Sequence, residues 1–254
     1  MKPLEFLGNM AATGVTLMRG IASAPAPVPP ARPLVLYDME GCPWCRLVRE
    51  SLTQLDLDVL VRPCPKGGLR FRPLAREQGG REQFPYLVDP NTGVALYESA
   101  AIIDYLHATY GGGEAPSSLR RRLLHVPGSF AASALRAGHG LQRRASRAPA
   151  EPLRLWSFEG SPFARPVREV LCELELPWLL HNAGRTVWQD WLLPPVRDRL
   201  LPDYRPAERN RRALLDLAGR VQVPYLLDPN TGTGLFESSE ILAYLERTYG
   251  RSAE

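Results

Sequence analysis

The chain has 254 residues, of which 44% are hydrophobic and 23% charged, with a net charge of +4. That is the composition of a folded globular protein, and it excludes wholesale disorder. Of 31 basic residues all but Lys2 and Lys66 are arginine, and residues 112–152 hold seven arginines against two glutamates. The basic excess is therefore local. Its stretch contains one aromatic, Phe130, so it lacks the basic, aromatic-interleaved face of a nucleic-acid binder. No run reaches the roughly 20 apolar residues of a membrane helix.

Residues 1–33 read as a leader. Leu4, Leu7, Ala11, Val15 and Met18 fall along one side of an N-terminal helix. A processed targeting segment ending near Ala22-Ser23-Ala24 is the alternative. APAPVPPARP at 24–33 reads as a stiff, extended linker. Beyond it the chain repeats itself. EGCPWCRLVRE at 40–50 matches EGSPFARPVRE at 159–169 in seven of eleven positions, and residues 84–111 match 223–250 in 17 of 28. The offset grows from 119 to 139, so the second copy holds 20 more residues, around Gly184 to Asn210. The repeats span 34–111 and 153–250, separated by a basic connector over 112–152.

Both copies predict the same elements. Short strands at Leu34–Tyr37 and Leu153–Trp156 precede helices starting at Pro43 and Pro162, since proline suits a first helical turn. Their apolar stripes are Val48, Leu52, Leu55 and Val167, Leu171, Leu174. Strands follow near Val59–Arg62 and Trp178–His181, then helices near 72–79 and 207–218. A strand at Tyr86–Val88 turns through Asp89-Pro-Asn-Thr-Gly93 into Ala95–Tyr97, and a helix begins behind Ser99. A helical crossover joins parallel strands and a tight turn joins antiparallel ones. The expected fold is α/β, with two tandem βαβαββα units, each with a mixed four-stranded sheet.

Cys42-Pro-Trp-Cys45 stands at a strand-to-helix junction, where the helix dipole and free N–H groups favour a thiolate. A thiolate attacks a disulfide and a second thiol resolves the product. The spacing assigns Cys42 as nucleophile and Cys45, one turn deeper, as resolver. No second C-x-x-C or histidine pair completes a zinc site, so no metal is expected. Cys64 reads as a buried loop cysteine or a third thiol, and Cys172 as packing. Arg46 and Arg49 stand where they could aid the thiolate or remain in solvent.

The strand, the Cys-Pro-aromatic-Cys helix, Phe84-Pro-Tyr-Leu87 and Tyr97-Glu-Ser99 before a helix resemble a glutaredoxin or the N-terminal domain of a glutathione transferase. The two repeats together resemble a tandem thioredoxin-fold family with such domains. The resemblance implies that Pro85 and Pro224 are cis. It implies glutathione as co-substrate, docked against Phe84, Pro85, Glu98 and Ser99, and a small-molecule or protein disulfide as partner. A second site over Ser161, Val223, Pro224, Glu237 and Ser238 could hold a ligand but not exchange dithiols, because Ser161 and Ala164 replace the cysteines. The expected function is a glutathione-linked thiol–disulfide oxidoreductase. The alternatives are a non-catalytic glutathione-binding or protein-interaction module, and a conjugating transferase. The 41-residue connector is too short for a transferase's helical domain. The expected compartment is the cytoplasm, with an organelle or a membrane-peripheral position through the N-terminal segment as the alternative.

Overall fold

The computed structural model describes residues 18–24, 26–113, 122–134, 136 and 138–251, with positions 8, 10, 11, 13 and 14 ahead of them. The first half runs β1 (Leu34–Asp38), α1 (Pro43–Gln54), β2 (Val59–Pro63), α2 (Arg72–Gly79), β3 (Tyr86–Val88), β4 (Ala95–Tyr97) and α3 (Ser99–Tyr110). Helix α4 (Arg122–Ala134) lies in the connector. The second half runs β5 (Leu153–Ser157), α5 (Arg165–Glu173), β6 (Trp178–Asn182), a 3-10 turn (Trp188–Trp191), α6 (Pro194–Leu200), α7 (Arg209–Ala218), β7 (Tyr225–Asp228), β8 (Thr233–Leu235) and α8 (Ser238–Tyr249). The turn and α6 occupy the 20-residue excess of the second copy.

The two expected four-stranded sheets are the halves of one eight-stranded sheet, in the order β4-β3-β1-β2-β6-β5-β7-β8. Within each half the first two strands are parallel and the others antiparallel. The topology leaves β2 and β6 as edges with unpaired backbone groups. They pair antiparallel with each other, placing Leu60 opposite Leu179 and Val61 opposite Trp178. One hydrophobic core then runs across the seam, from Leu36, Val48 and Leu52 to Leu155, Val167 and Trp178. The apolar stripe of α1 is buried as its i, i+4, i+7 spacing requires. Helix α5 starts later than expected, at Arg165 rather than Pro162. Ser161 Oγ accepts from the Ala164 N–H at 3.2 Å, holding Pro162–Ala164 as a separate turn.

The duplication reaches further out than the two copies read from sequence. Gly8, Ala11, Gly20 and Ile21 stand 120 positions before Gly128, Ala131, Gly140 and Leu141, and both stretches carry helical positions followed by a turn. Each turn crosses the other half or its own in a matching way. Gly41 N–H donates to Gly140 O, and Gly160 N–H to Gly20 O. A Cβ on Gly41 would lie 2.6 Å from Leu141 Cδ2, and one on Gly160 2.4 Å from Ile21 Cγ1. The glycine repeated in both E-G motifs is thus the floor under a crossing segment. The described N-terminal residues dock through Thr13, whose hydroxyl donates to Gly160 O at 3.1 Å, and through Ile21. Met18, expected on the packed side, is 53% exposed, and Ala11 is exposed as well. Met18 stands on the turn between the docking residues Thr13 and Ile21, with its side chain largely in solvent. Leu4, Leu7 and Val15 lie outside the described residues.

The connector's arginines face acids of the second half. Arg136 makes a bidentate pair with Glu169 at 2.7 Å, Arg143 meets Glu175 at 3.1 Å, and Arg144 forks onto Glu246. Three of the connector's seven arginines are thus paired within the chain.

Candidate functional site

Cys42 is the N-cap of α1, in extended backbone with Pro43 behind it, and is only 7% exposed. A Cys45 side-chain hydrogen bond holds its thiol down to about 7, helped by the backbone N–H groups of Cys45 and Trp44 and opposed by burial. Burial and the bond to Cys42 push Cys45 well above its ordinary value, and the nearby Asp38 carboxylate adds to the shift. The two thiols are therefore shifted in opposite directions although they sit one turn apart. No disulfide joins them.

Beside them lies a cavity of about 650 Å³. The Phe84–Pro85 peptide is cis and lines one wall, Glu98, Ser99 and Ala100 at the start of α3 line a second, and Trp44 with Val126 and Pro127 of α4 line a third. The 12-residue helix α3 thus opens its free N–H groups onto the cavity, a setting that favours an anion. Glu98 has φ +69, a left-handed conformation that costs a non-glycine residue energy, and accepts from Gln83 Nε2. The structure thus brings Trp44, Phe84, Pro85, Glu98 and Ser99 around one cavity, with Cys42 at the adjoining helix start. Helix α4 was not foreseen as a wall. It packs on α1, donating from Ser129 Oγ to Pro43 O at 2.8 Å and setting Phe130 edge-on to Trp44.

Cys64 and Cys172 are both fully buried, and burial pushes both thiols up. Arg46 and Arg49 are neither in solvent nor against the Cys42 sulfur. They belong to a buried ion cluster between the halves. Arg49 grips Asp38 through both carboxylate oxygens at 2.8 Å and reaches Glu159 at 2.8 Å. In mirror fashion Arg168 reaches Glu40 at 3.1 Å and Glu159 at 3.1 Å. Arg46 adds a contact to Glu159 at 3.3 Å. The Arg168, Arg49 and Arg46 guanidiniums hold Glu159 well below the usual carboxylate range against its burial. The repeated charges of the 40–50 and 159–169 motifs thus build the seam. Their signal in the sequence is the matched Glu and Arg positions of the two motifs.

The second half keeps the frame and loses the chemistry. Val223–Pro224 is cis, Ser161 is 1% exposed, and Glu237 is exposed and accepts from Gln222 Nε2 at 2.7 Å. Ser238, however, donates its hydroxyl to Phe163 O at 2.8 Å, whereas Ser99 carries no such bond to Trp44 among the described residues. The cavity of this half touches Ser161 and Val223 and lies towards α7, away from Glu237 and Ser238.

Among the described residues no group of three or more side chains is arranged to hold a metal ion, and no helix is long and apolar enough to cross a membrane. No curated protein and no solved structure matches the chain. The family model described as glutathione S-transferase, N-terminal domain, matches twice, over residues 36–114 and 155–253. Those two spans cover more than half of the chain and coincide with the two halves of the sheet, so the chain belongs to the glutathione S-transferase N-terminal domain family and carries that domain twice.

Proposed function

We propose that the protein is a glutathione-linked thiol–disulfide oxidoreductase working through Cys42 and Cys45. One observation carries the reading: at neutral pH a nucleophilic Cys42 with its thiol near 7 sits against a Cys45 held protonated, beside a cavity edged by a cis proline and a helix N-terminus. The Cys42 thiolate attacks one sulfur of a substrate disulfide, forming a mixed disulfide and expelling the other sulfur as a thiolate, which takes up a proton. Cys45 then gives up its proton and attacks Cys42 Sγ, closing the Cys42–Cys45 disulfide and releasing the second thiol. Two glutathione molecules reopen it, one as a mixed disulfide on Cys42 and one to release glutathione disulfide. Glutathione's γ-glutamyl carboxylate would meet the Ser99 end of α3, its ammonium the Glu98 carboxylate, and its cysteinyl backbone Phe84.

Reduction of hydroxyethyl disulfide by glutathione tests this. The expected result is turnover by the wild type, none by Cys42→Ser, and retained monothiol turnover of glutathione mixed disulfides by Cys45→Ser. A wild type without turnover of any small disulfide sinks the reading. The apolar wall of Trp44, Val126 and Pro127 favours a second one, conjugation of glutathione to an apolar electrophile. A thioether product from a generic electrophile, formed without disulfide turnover, would establish it instead.

A further inference from the structure

The second half has a cavity that the dithiol reading leaves unused. It measures about 290 Å³ and is walled by Phe158, Phe163, Leu193 and Val223, with Met10, Thr13 and Ile21 of the N-terminal segment closing one side. Arg211 of α7 and Arg185 also line it. Arg211 is 4% exposed. Its Nε and Nη1 have no hydrogen-bond partner. Asp190, its nearest carboxylate, stands 3.7 Å away and is already committed. Asp190 Oδ1 accepts from the Tyr204 hydroxyl, and Oδ2 from the Thr186 N–H and hydroxyl and the Val187 N–H. Arg185 lies over the Trp191 ring at 4.8 Å, and its own Nε has no hydrogen-bond partner either.

A buried guanidinium without acceptors is costly, and burying a charge is tolerated when a counter-charge completes it. Two arginines with open donors face one carboxylate that already holds four hydrogen bonds from other groups, across an apolar hollow. We propose that this cavity is a second ligand site, separate from the dithiol site, for a small carboxylate with an apolar body. The carboxylate would sit between Arg211 and Arg185, accepting the bidentate bonds that planar guanidiniums offer. The apolar body would lie against Phe158, Phe163 and Val223. Its volume is at the lower edge of small-molecule sites, about 300 Å³, so the ligand is compact. Glutathione does not fit this description. The Ser238 hydroxyl that would meet its γ-glutamyl group is already bonded to Phe163 O, and that polar tripeptide has no apolar body to lie against the walls.

Calorimetric titration of the full chain with 4-phenylbutanoate, and with the neutral 4-phenylbutanamide of the same shape, tests the proposal. Saturable millimolar or tighter binding of the carboxylate is expected, with the amide weaker by about tenfold or more, which corresponds to about 1.4 kcal/mol. Arg211→Met should lose the carboxylate preference and Arg211→Lys should retain part of it, while Cys42→Ser should leave binding unchanged. The comparison of the two probes on unaltered protein needs no variant, so a poorly folding Arg211→Met leaves the test intact. Absence of saturable carboxylate binding, equal binding of the amide, loss of binding in Cys42→Ser, or displacement of the probe by glutathione would each overturn the proposal.

Discussion

The two cysteines of Cys42-Pro-Trp-Cys45 share a turn of helix and are treated oppositely by their surroundings. Cys42 receives hydrogen bonds at the mouth of α1, whereas Cys45 lies one turn deeper with Asp38 beside it. The hydrogen bond from Cys45, more than the α1 backbone N–H groups, holds the Cys42 thiol down. Removing that donor should therefore raise the Cys42 pKa. In Cys45→Ala the ultraviolet thiolate absorbance and the alkylation rate should reach half-maximum clearly above the wild-type midpoint of about 7, and Cys45→Ser, which restores a donor, should fall between the two. Below the midpoint the thiol is protonated and alkylation slows; above it the rate levels off. An unmoved midpoint in Cys45→Ala would assign the activation to the α1 backbone N–H groups. The sequence made this pair visible through its spacing and its strand-to-helix position. It could not show which bond dominates, because that depends on burial contributed by distant residues.

At the scale of elements, the identical Asp-Pro-Asn-Thr-Gly turns serve the last helix of each half as well as the hairpin. Asp89 is fully buried and accepts from Tyr105 at 2.6 Å and Tyr110 at 2.5 Å, both on α3. Asp228 accepts from Tyr244 and Tyr249 of α8 at 2.6 and 2.5 Å. Burial opposes ionisation of Asp89, but the Tyr105 and Tyr110 hydroxyls and Asn91 prevail and hold it below its ordinary value. The stabilisation is thus present above the ordinary aspartate range near about 3.9 and is lost as pH falls through the lowered folded value. Tyr110→Phe should cost about 1.5–3 kcal/mol in urea unfolding at neutral pH, as for a bond to a charged acceptor, and the deficit should shrink in acid. A deficit that is the same at every pH would assign the tyrosine to packing. The turn was legible from its residue types and the helices from their stripes. The tether between them was not, since it joins residues 21 positions apart through a buried side chain. The late start of α5 was hidden for a similar reason, because Ser161 competes for the first turn through its own hydroxyl.

At the scale of the whole molecule, the halves share one sheet and one core. That core runs unbroken across the β2–β6 seam, and the buried charges of the two repeat motifs complete one another across it. Each half also lies under a crossing segment, the N-terminal one at Gly160 and the connector at Gly41. The duplication and the number of strands could be read from the sequence. The continuous sheet could not, because edge pairing depends on which strands the topology leaves open, and the cross-seam partner of Arg49, Glu159, lies 110 residues away. Removing one member of a buried charge group leaves the others unpaired, which costs about 3–5 kcal/mol. Arg49→Met and Arg168→Met should each destabilise by that order. Both arginines bind Glu159, so the double variant should cost less than the sum of the singles, with a coupling of about 0.5–3 kcal/mol. In a Trp44→Phe background, where every remaining tryptophan lies in the second half, unfolding followed by tryptophan fluorescence and by Cys42 and Cys45 reactivity in the first half should show one transition, with both probes moving together in every variant. Two transitions, or strictly additive losses, would mean that the halves are independent domains that merely touch.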